Sequence, residues 1–220
     1  YIGSAVSLNV ISRSPLVIEH AEALSEACSL IGGPQVRNTA TLGGNVAHAL
    51  PAADGTIALL ACDARVDIAT PQGLKQVDLS ELFLGPGKSA LAQDEIIAGF
   101  RLPLKKKGQA CAFKRVMRMQ GVALPIINMA VWVERAGETI GDIRITIGPA
   151  GKTPYRAFPA EDVLRRNVVN EHSIGEAYSA VLANAVFRSS PHRAGSKYRK
   201  AVSGALLNTL IRKAWDRSSC

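Results

Sequence analysis

The chain has 220 residues and an ordinary composition, with 47% hydrophobic and 20% charged residues. This length allows one large domain or two small ones. Its apolar runs are far shorter than the roughly 20 residues that cross a bilayer, so we expect no membrane span. The first residues, Tyr1 to Ser4, do not resemble a signal peptide, which favours a cytoplasmic location. The chain lacks an initiator Met, as a fragment or a processed product would.

The formal net charge is +8. Such a charge suits a nucleic acid, an acidic protein surface or a phosphate-bearing ligand, and charge alone does not choose among them. Aromatic residues make up only 5% of the chain, which weakens the case for stacking on single-stranded bases. Four separated cysteines, Cys28, Cys62, Cys111 and Cys220, form no CxxC pair. We therefore expect reduced thiols, and neither a zinc site nor an iron–sulfur cluster in this chain. Disulfide pairing is the alternative, although a cytosolic chain of this size does not need it.

In the first half, apolar periodicity and turn residues predict a mixture of helices and strands. A helix over 21–31 ends at Gly32-Gly33-Pro34. The other predicted elements are a buried helix over 56–62, strands over 64–69 and 74–77, a helical turn over 79–84, and a strand over 95–102 that Pro103 ends. The lysine run at 105–107 then indicates an exposed loop or a subdomain boundary.

The second half changes from strands to helices. Strands are predicted over 112–116, 128–135 and 142–147, and helices over 160–166, 173–186 and 197–217. In the third strand, isoleucines at 143, 145 and 147 face one side, and Arg144 and Thr146 face the other. Three successive strands followed by helices predict a three-stranded antiparallel sheet with helices, within an α+β fold.

The stretch from Gln35 to Asp54 is the most informative part of the sequence. Gly43 and Gly44 lack the Cβ atoms that keep a ligand away from the backbone, so we expect their amide groups to be open to phosphate oxygens. Thr41 and Asn45 add a hydroxyl and an amide at the ends of the same turn, and the Asp54 carboxylate suits the hydroxyls of a ribose or ribityl chain. A simple tight turn is the alternative. Neither the dinucleotide nor the phosphate-loop glycine pattern is present.

This stretch, with Thr41-Leu42-Gly43-Gly44-Asn45 at its centre, resembles the second flavin motif in the medium subunits of carbon monoxide dehydrogenase, xanthine dehydrogenase and their relatives. Further segments that resemble this family are 2–5, 94–97, 101–103, 112–115, 187–194 and 197–199. The resemblance covers nearly the whole chain. It implies a PCMH-type FAD-binding domain over 1–104, represented by its second subdomain, followed by a carbon monoxide dehydrogenase flavoprotein C-terminal-like domain over 109–217.

The resemblance also implies which residues contact FAD. Thr41, Gly43, Gly44 and Asn45 would contact its pyrophosphate and flavin side, Asp54 a hydroxyl, Ile31 and Ala47 apolar parts, Ile97 the adenine or ring system, and Lys114 the isoalloxazine or the electron acceptor. Plain core is the alternative for Ile97, and a solvated charge for Lys114. His48 is interpreted as a passive loop residue, and His192 and Arg193 as braces for the last helices. No catalytic acid or base and no metal ligand is implied.

In this family, an Ala-Gly-Gly-Thr-Asp-like loop in the N-terminal subdomain holds much of the pyrophosphate, and the sequence from Tyr1 onward does not contain it. The sequence therefore predicts one side of an FAD cradle. A truncated sequence and a degenerate protein without flavin both fit this difference, so binding of FAD by this chain alone stays open at this point.

The function implied is electron transfer within a heteromeric molybdenum hydroxylase. A small partner would carry [2Fe–2S] clusters, a large partner would bind the molybdenum cofactor, and FAD in this chain would pass electrons to an external acceptor such as NAD or a quinone. The alternatives are a cofactor-free structural subunit, a stand-alone FAD oxidoreductase of the same fold, and a nucleic-acid-binding protein. No motif in the sequence supports nucleic-acid binding.

Overall fold

The structure is a computed structural model that describes residues 1–117, 124–191 and 193–219. The strands in this part of the chain form two four-stranded antiparallel sheets and a small hairpin. The helices are α1 (Leu8–Arg13), α2 (Pro15–His20), α3 (Glu22–Leu30), α4 (Pro34–Thr39), α5 (Leu42–Ala47), α6 (Asp54–Ala61), α7 (Phe158–Leu164), α8 (Glu171–Asn184) and α9 (Ser196–Arg217). The strands are β1 (Ile2–Gly3), β2 (Arg65–Thr70), β3 (Gly73–Asp78), β4 (Phe83–Gly85), β5 (Lys88–Ser89), β6 (Ile96–Arg101), β7 (Gln109–Met117), β8 (Pro125–Ala136), β9 (Thr139–Gly148) and β10 (Tyr155–Arg156).

The first sheet has the strand order β1–β6–β2–β3 and belongs to the first half of the chain. Its strand β2 buries Val66 and Ile68, which lie two residues apart and therefore on the same face. These side chains join a core that also contains the apolar faces of α3 and α6. Helix α6 is buried along most of its length because it packs against α3 on one side and against β8 and β9 on another.

The second sheet has the order β10–β9–β8–β7. The three strands predicted from the sequence form it, and the two-residue strand β10 adds a fourth at the edge of β9. Ile143, Ile145 and Ile147 point into a core covered by α7, α8 and α9, as the alternation predicted. The opposite face is buried as well, because α3 and α6 pack on it. There the Thr146 hydroxyl donates a hydrogen bond of 2.7 Å to the backbone carbonyl of Ile57.

The α+β fold is therefore confirmed, and each of the longer elements lies within a few residues of its predicted position. Apolar periodicity did not predict the short helices α1, α2, α4 and α5. Each has six residues, which is less than two helical turns and too short for an apolar period to emerge. The expected turn at Thr41–Asn45 is corrected accordingly, since these residues form the N-cap and the first turns of α5.

Two further predictions can be compared with the described residues. None of the helices in the described ranges is long and apolar enough to cross a membrane. The expectation that His192 braces the last helices falls on a residue outside the described ranges, and so does the thiol of Cys220.

Candidate functional site

A cleft of about 520 Å³ opens between the α4–α5 region and the second sheet. We call it the main cleft. Its walls are mostly apolar or formed by small residues, and its polar groups are concentrated at Thr41, Asn45, His48, Asp54 and Arg115. The residues that line it are Leu8, Ile31, Gly32, Val36, Thr39, Ala40, Thr41, Gly44, Asn45, His48, Leu50, Ala52, Ala53, Asp54, Arg115, Leu124 and Pro125.

Thr41 organises the helix on one wall of the main cleft. It has an extended backbone conformation at the N-cap of α5, and its hydroxyl accepts a hydrogen bond of 3.1 Å from the Gly44 amide. The Gly43 amide donates to the backbone carbonyl of Ser4 at 2.9 Å. Both amides are thus already bonded within the chain. The expectation that they are open to phosphate oxygens is wrong for this conformation, because capping and packing already use them.

The two glycines serve different purposes. A Cβ atom on Gly43 would lie 2.6 Å from the Ser4 Cβ, so the missing side chain allows α5 to pack closely against β1 and the residue after it. Gly44 is exposed and faces the main cleft, where an added Cβ would have only the Thr41 hydroxyl, at 3.3 Å, within contact distance. Gly44 therefore leaves space that a ligand can fill, whereas Gly43 belongs to the packing behind the wall.

Asp54 lies at the floor of the main cleft, where its side chain is only 4% exposed. It pairs with Arg115 of β7, whose side chain is equally buried, and accepts a hydrogen bond from Asn128 of β8. Arg115 also donates to the carbonyl of Leu30, at the end of α3. Burial raises the pKa of the Asp54 carboxyl group, and the Arg115 charge and the Asn128 bond offset only part of that rise. The network ties together four elements that surround the main cleft.

Unused polar atoms at the main cleft provide a test of whether FAD fits it. The side-chain oxygen of Asn45 (Oδ1) and the Arg115 Nε are buried and have no hydrogen-bond partner among the described residues. One is an acceptor and the other a donor, so a ligand carrying both hydroxyl and phosphate or carbonyl groups would satisfy them. Apolar wall residues such as Ile31 and Val36 suit a flat ring system. These features fit FAD.

The remaining predicted residues lie outside this lining. Ala47 is exposed at the end of α5, and Ile97 is 4% exposed in the core of the first sheet, paired with Ile68. Lys114 is exposed and, by strand alternation, faces away from Arg115. The main cleft thus brings together Ile31, Thr41, Gly44, Asn45 and Asp54 and leaves out Gly43, Ala47, Ile97 and Lys114.

Arg115 is a buried, charged residue at the main cleft that sequence reasoning did not assign to the site. Its neighbour Phe113 lies two residues earlier and is buried in the core of the first half. Alternation along β7 would have placed Arg115 on the same buried face, where an arginine requires an acidic partner.

Gly148, at the end of β9, sets how closely the Pro51–Asp54 turn approaches the second sheet. A Cβ atom there would lie 2.3 Å from the Pro51 carbonyl oxygen and 2.6 Å from the Asn128 side-chain oxygen. Real Cβ atoms do not approach other atoms so closely. Only glycine therefore allows this turn to lie directly against β8 and β9.

The described cysteines are buried free thiols. Burial, with a smaller contribution from the Asp54 charge, raises the pKa of Cys28 to about 12. The sulfur atoms of Cys62 and Cys111 lie 3.9 Å apart, and that contact and burial raise the pKa of Cys111. Within the described ranges, no group of His, Cys, Asp and Glu residues is arranged to hold a metal ion. These thiols therefore serve as core residues.

Comparisons with known proteins agree with this geometry. Residues 1–105 match the family model of the FAD binding domain in molybdopterin dehydrogenase, and residues 111–214 match that of the CO dehydrogenase flavoprotein C-terminal domain. A putative xanthine dehydrogenase FAD-binding subunit of Escherichia coli K12 is 31% identical over 97% of this chain and 73% of its own length. The nicotine 6-hydroxylase medium subunit of Paenarthrobacter nicotinovorans is also 31% identical, over 98% of this chain and 75% of its own length.

A solved structure of carbon monoxide dehydrogenase from Hydrogenophaga pseudoflava superimposes with a TM-score of 0.91 at 27% identity, and the match covers 97% of this chain and 74% of that one. Sequence and fold thus give the same result over nearly the whole length of this chain. The chain belongs to the family of FAD-binding medium subunits of the molybdenum hydroxylases, and it is an oxidoreductase subunit.

Proposed function

We propose that this chain holds FAD against the main cleft and serves as the electron-transfer subunit of a molybdenum hydroxylase. Electrons would come from [2Fe–2S] clusters in one partner subunit, after oxidation of a substrate at the molybdenum cofactor of another. The bound flavin would supply the redox chemistry and pass the electrons to an external acceptor such as NAD or a quinone. The observation that carries this proposal is the convergence of Ile31, Thr41, Gly44, Asn45 and Asp54 on one cleft.

The chain's own residues would bind and orient the cofactor. Gly44 would allow the ligand to approach the backbone closely. The side-chain oxygen of Asn45 would accept a hydrogen bond from the ligand, since that oxygen has no partner among the described residues. Thr41 lines the cleft, and its hydroxyl keeps α5 capped. Asp54 and Arg115 would present a fixed acceptor and donor at the floor. Ile31 would contact a ring.

The predicted residues outside the lining would contribute by other means than direct contact within the main cleft. Gly43 would act by letting α5 pack closely, and Ile97 by filling the core. Ala47 and Lys114 are exposed, so any contact they make with cofactor or acceptor would come from a side other than the main cleft. We place the FAD-binding half at 1–104 and the C-terminal half at 109–217, with Arg115 of the second half completing the cleft of the first.

We propose a heteromeric, cytoplasmic assembly with a large molybdenum-binding subunit and a small [2Fe–2S] subunit. The names of the similar proteins support an assembly of several subunits, because some are called medium subunits or medium chains. No cluster of metal ligands occurs within the described ranges, and the proposed division of labour requires none in this chain.

Substitution of a cleft glycine tests the proposal. The purified chain is reconstituted with excess FAD, and binding is followed by flavin absorbance and fluorescence. Because a leucine side chain at Gly44 would fill part of the main cleft, we expect Gly44→Leu to weaken FAD binding at least about tenfold, a loss of ~1.4 kcal/mol. The matched control is Gly175→Leu in α8. Gly175 is also an exposed helical glycine, and no atom lies within 4 Å of a Cβ added there. The control variant should leave FAD affinity unchanged.

The outcome separates the competing functions. Protein that stays colourless after reconstitution would contradict FAD binding by this chain alone and would favour a cofactor-free structural subunit. Equal FAD affinity of Gly44→Leu and the unmodified chain would show that FAD binds somewhere other than the main cleft. Substrate oxidation by the flavin-loaded chain in the absence of partners would favour a stand-alone oxidoreductase.

A further inference from the structure

A second cleft, of about 470 Å³, lies beside the segment that leads into α9. We call it the arginine cleft, because Arg188, Arg193 and Arg199 all line it, together with the hydroxyl-bearing Ser189 and Ser190. No acidic residue is among the described residues of its lining. Three positive charges and two hydroxyl groups therefore meet around one opening, with no negative charge among the lining residues that the structure describes.

Arg199 is the central observation. It lies in the first turns of α9 and is only 1% exposed, the largest of the fully buried side chains. One of its terminal nitrogens donates to the Ile126 carbonyl, while its Nε is buried and has no partner among the described residues. A buried guanidinium group that lacks an anionic partner is costly, because a single carbonyl does not replace the water it has lost.

The surroundings of Arg199 increase this cost. Burial lowers the pKa of Arg199, and the charges of Arg193 and Arg188 lower it further. Neither of these two neighbours forms an ion pair within the described part of the chain. The first turn of α9 carries no acidic residue, although the amino-terminal end of a helix favours negative charge. An anion in the arginine cleft would offset the repulsion between these positive charges and give the Arg199 Nε a partner.

We propose that the arginine cleft binds a phosphate-type anion, either free phosphate or the phosphate group of an organic molecule. Guanidinium groups match tetrahedral oxyanions because their N–H groups form parallel, charge-assisted hydrogen bonds. The Arg199 Nε supplies a donor from the protein interior, Arg188 and Arg193 supply charge from the rim, and the serine hydroxyls complete the donor set. The site is distinct from the main cleft, although Leu124 lines both. The proposal does not depend on FAD binding.

Direct titration of the whole chain tests this site. Inorganic phosphate and glycerol 2-phosphate are titrated by calorimetry at constant ionic strength, with chloride as the reference anion. The test variant is Arg188→Gln/Arg193→Gln, and the control is Lys106→Gln/Lys107→Gln, which removes the same charge from an exposed loop. We expect the arginine variant to weaken phosphate binding at least about tenfold, and the lysine variant to change it less than about twofold.

The buried arginine provides a second readout. Arg199→Lys keeps the positive charge but loses the planar fork, and it should bind phosphate more weakly than the unmodified chain while retaining its circular dichroism spectrum. Tighter binding of the phosphomonoester than of free phosphate would identify an organic ligand, and the reverse order would identify the free anion. The proposal fails if phosphate binds no better than chloride, or if the Arg188→Gln/Arg193→Gln variant binds it as well as the unmodified chain does.

Discussion

The Asp54 carboxylate holds together residues that are distant in sequence. Arg115 and Asn128, its two partners, lie 61 and 74 residues further along the chain. The sequence identified Asp54 as an acceptor, and the structure shows that donors of the protein itself bind both of its oxygens. A local pattern does not contain such partners, which is why Arg115 was not assigned to the site. Asp54 would therefore contact FAD as part of its ion pair with Arg115.

Removal of Arg115 should therefore destabilise the fold strongly. Arg115→Met leaves the Asp54 charge buried without its counter-ion, and we expect a loss of about 3 kcal/mol or more in the free energy of unfolding, measured in urea at neutral pH. The control is Arg65→Met, which removes an ion pair with Asp78 whose two side chains are 53% and 62% exposed. It should cost less than about 1 kcal/mol.

The pH dependence of the Arg115→Met stability loss shows whether the buried Asp54 charge causes it. Burial holds the pKa of Asp54 above its value in the unfolded chain, so the folded variant prefers the protonated carboxyl group. The deficit should be smallest below the unfolded pKa of about 3.9 and should grow as pH rises through the folded pKa. A deficit independent of pH would show that lost packing, and not the buried charge, explains it.

Among the elements, the longer helices and strands were predictable and the short helices were not. Helices α3, α8 and α9 span enough turns for their apolar stripes to show in the sequence, and β9 shows its alternation. The six-residue helix α5 depends instead on the Thr41 cap and on the fit of Gly43 against Ser4. Contacts of this kind between separate segments are decided by tertiary structure.

The cap of α8 yields a prediction at this scale. The Asn170 side-chain oxygen accepts a hydrogen bond of 2.9 Å from the backbone amide of Ser173, and the Ser173 hydroxyl in turn accepts one from the backbone amide of Asn170. Because Asn170→Ala leaves the Ser173 amide without its partner, thermal or urea unfolding should show a loss of about 1 kcal/mol. Ser179→Ala, on the exposed side of the same helix, should change the free energy of unfolding by less than about 0.5 kcal/mol. Equal effects of the two variants would contradict a role for the cap.

In the whole molecule, the first and second halves share one interface, and Glu26 lies at its edge. This residue of α3 accepts hydrogen bonds of 2.7 Å from both Lys213 and Arg217 of α9, and one of 2.8 Å from the Phe113 amide of β7. Burial alone would raise the pKa of Glu26, but these donors together lower it below its ordinary value. The carboxylate thus joins the start of the chain to its last helix.

Acid should weaken that connection. Since the folded pKa of Glu26 is lowered, its stabilisation is present above the unfolded pKa of about 4.3 and is lost as pH falls through the folded value. We expect Glu26→Gln to be less stable than the unmodified chain by ~1–2 kcal/mol at pH 7, with the difference shrinking below about pH 4. Glu176→Gln removes an exposed carboxylate whose one ion pair within the described residues is with His172, and it should show no such difference. A gap for Glu26→Gln that persists in acid would contradict the assignment.

Gly148 links this shared interface to the main cleft. The turn that carries Asp54 rests on the backbone of β9 with no side chain between them. The position of Asp54 at the floor of the main cleft therefore depends on a residue of the C-terminal half that does not itself line the cleft. For anyone combining halves from different members of this family, position 148 is a compatibility requirement: an FAD-binding half built on this spacing will accept only a C-terminal half that has glycine there.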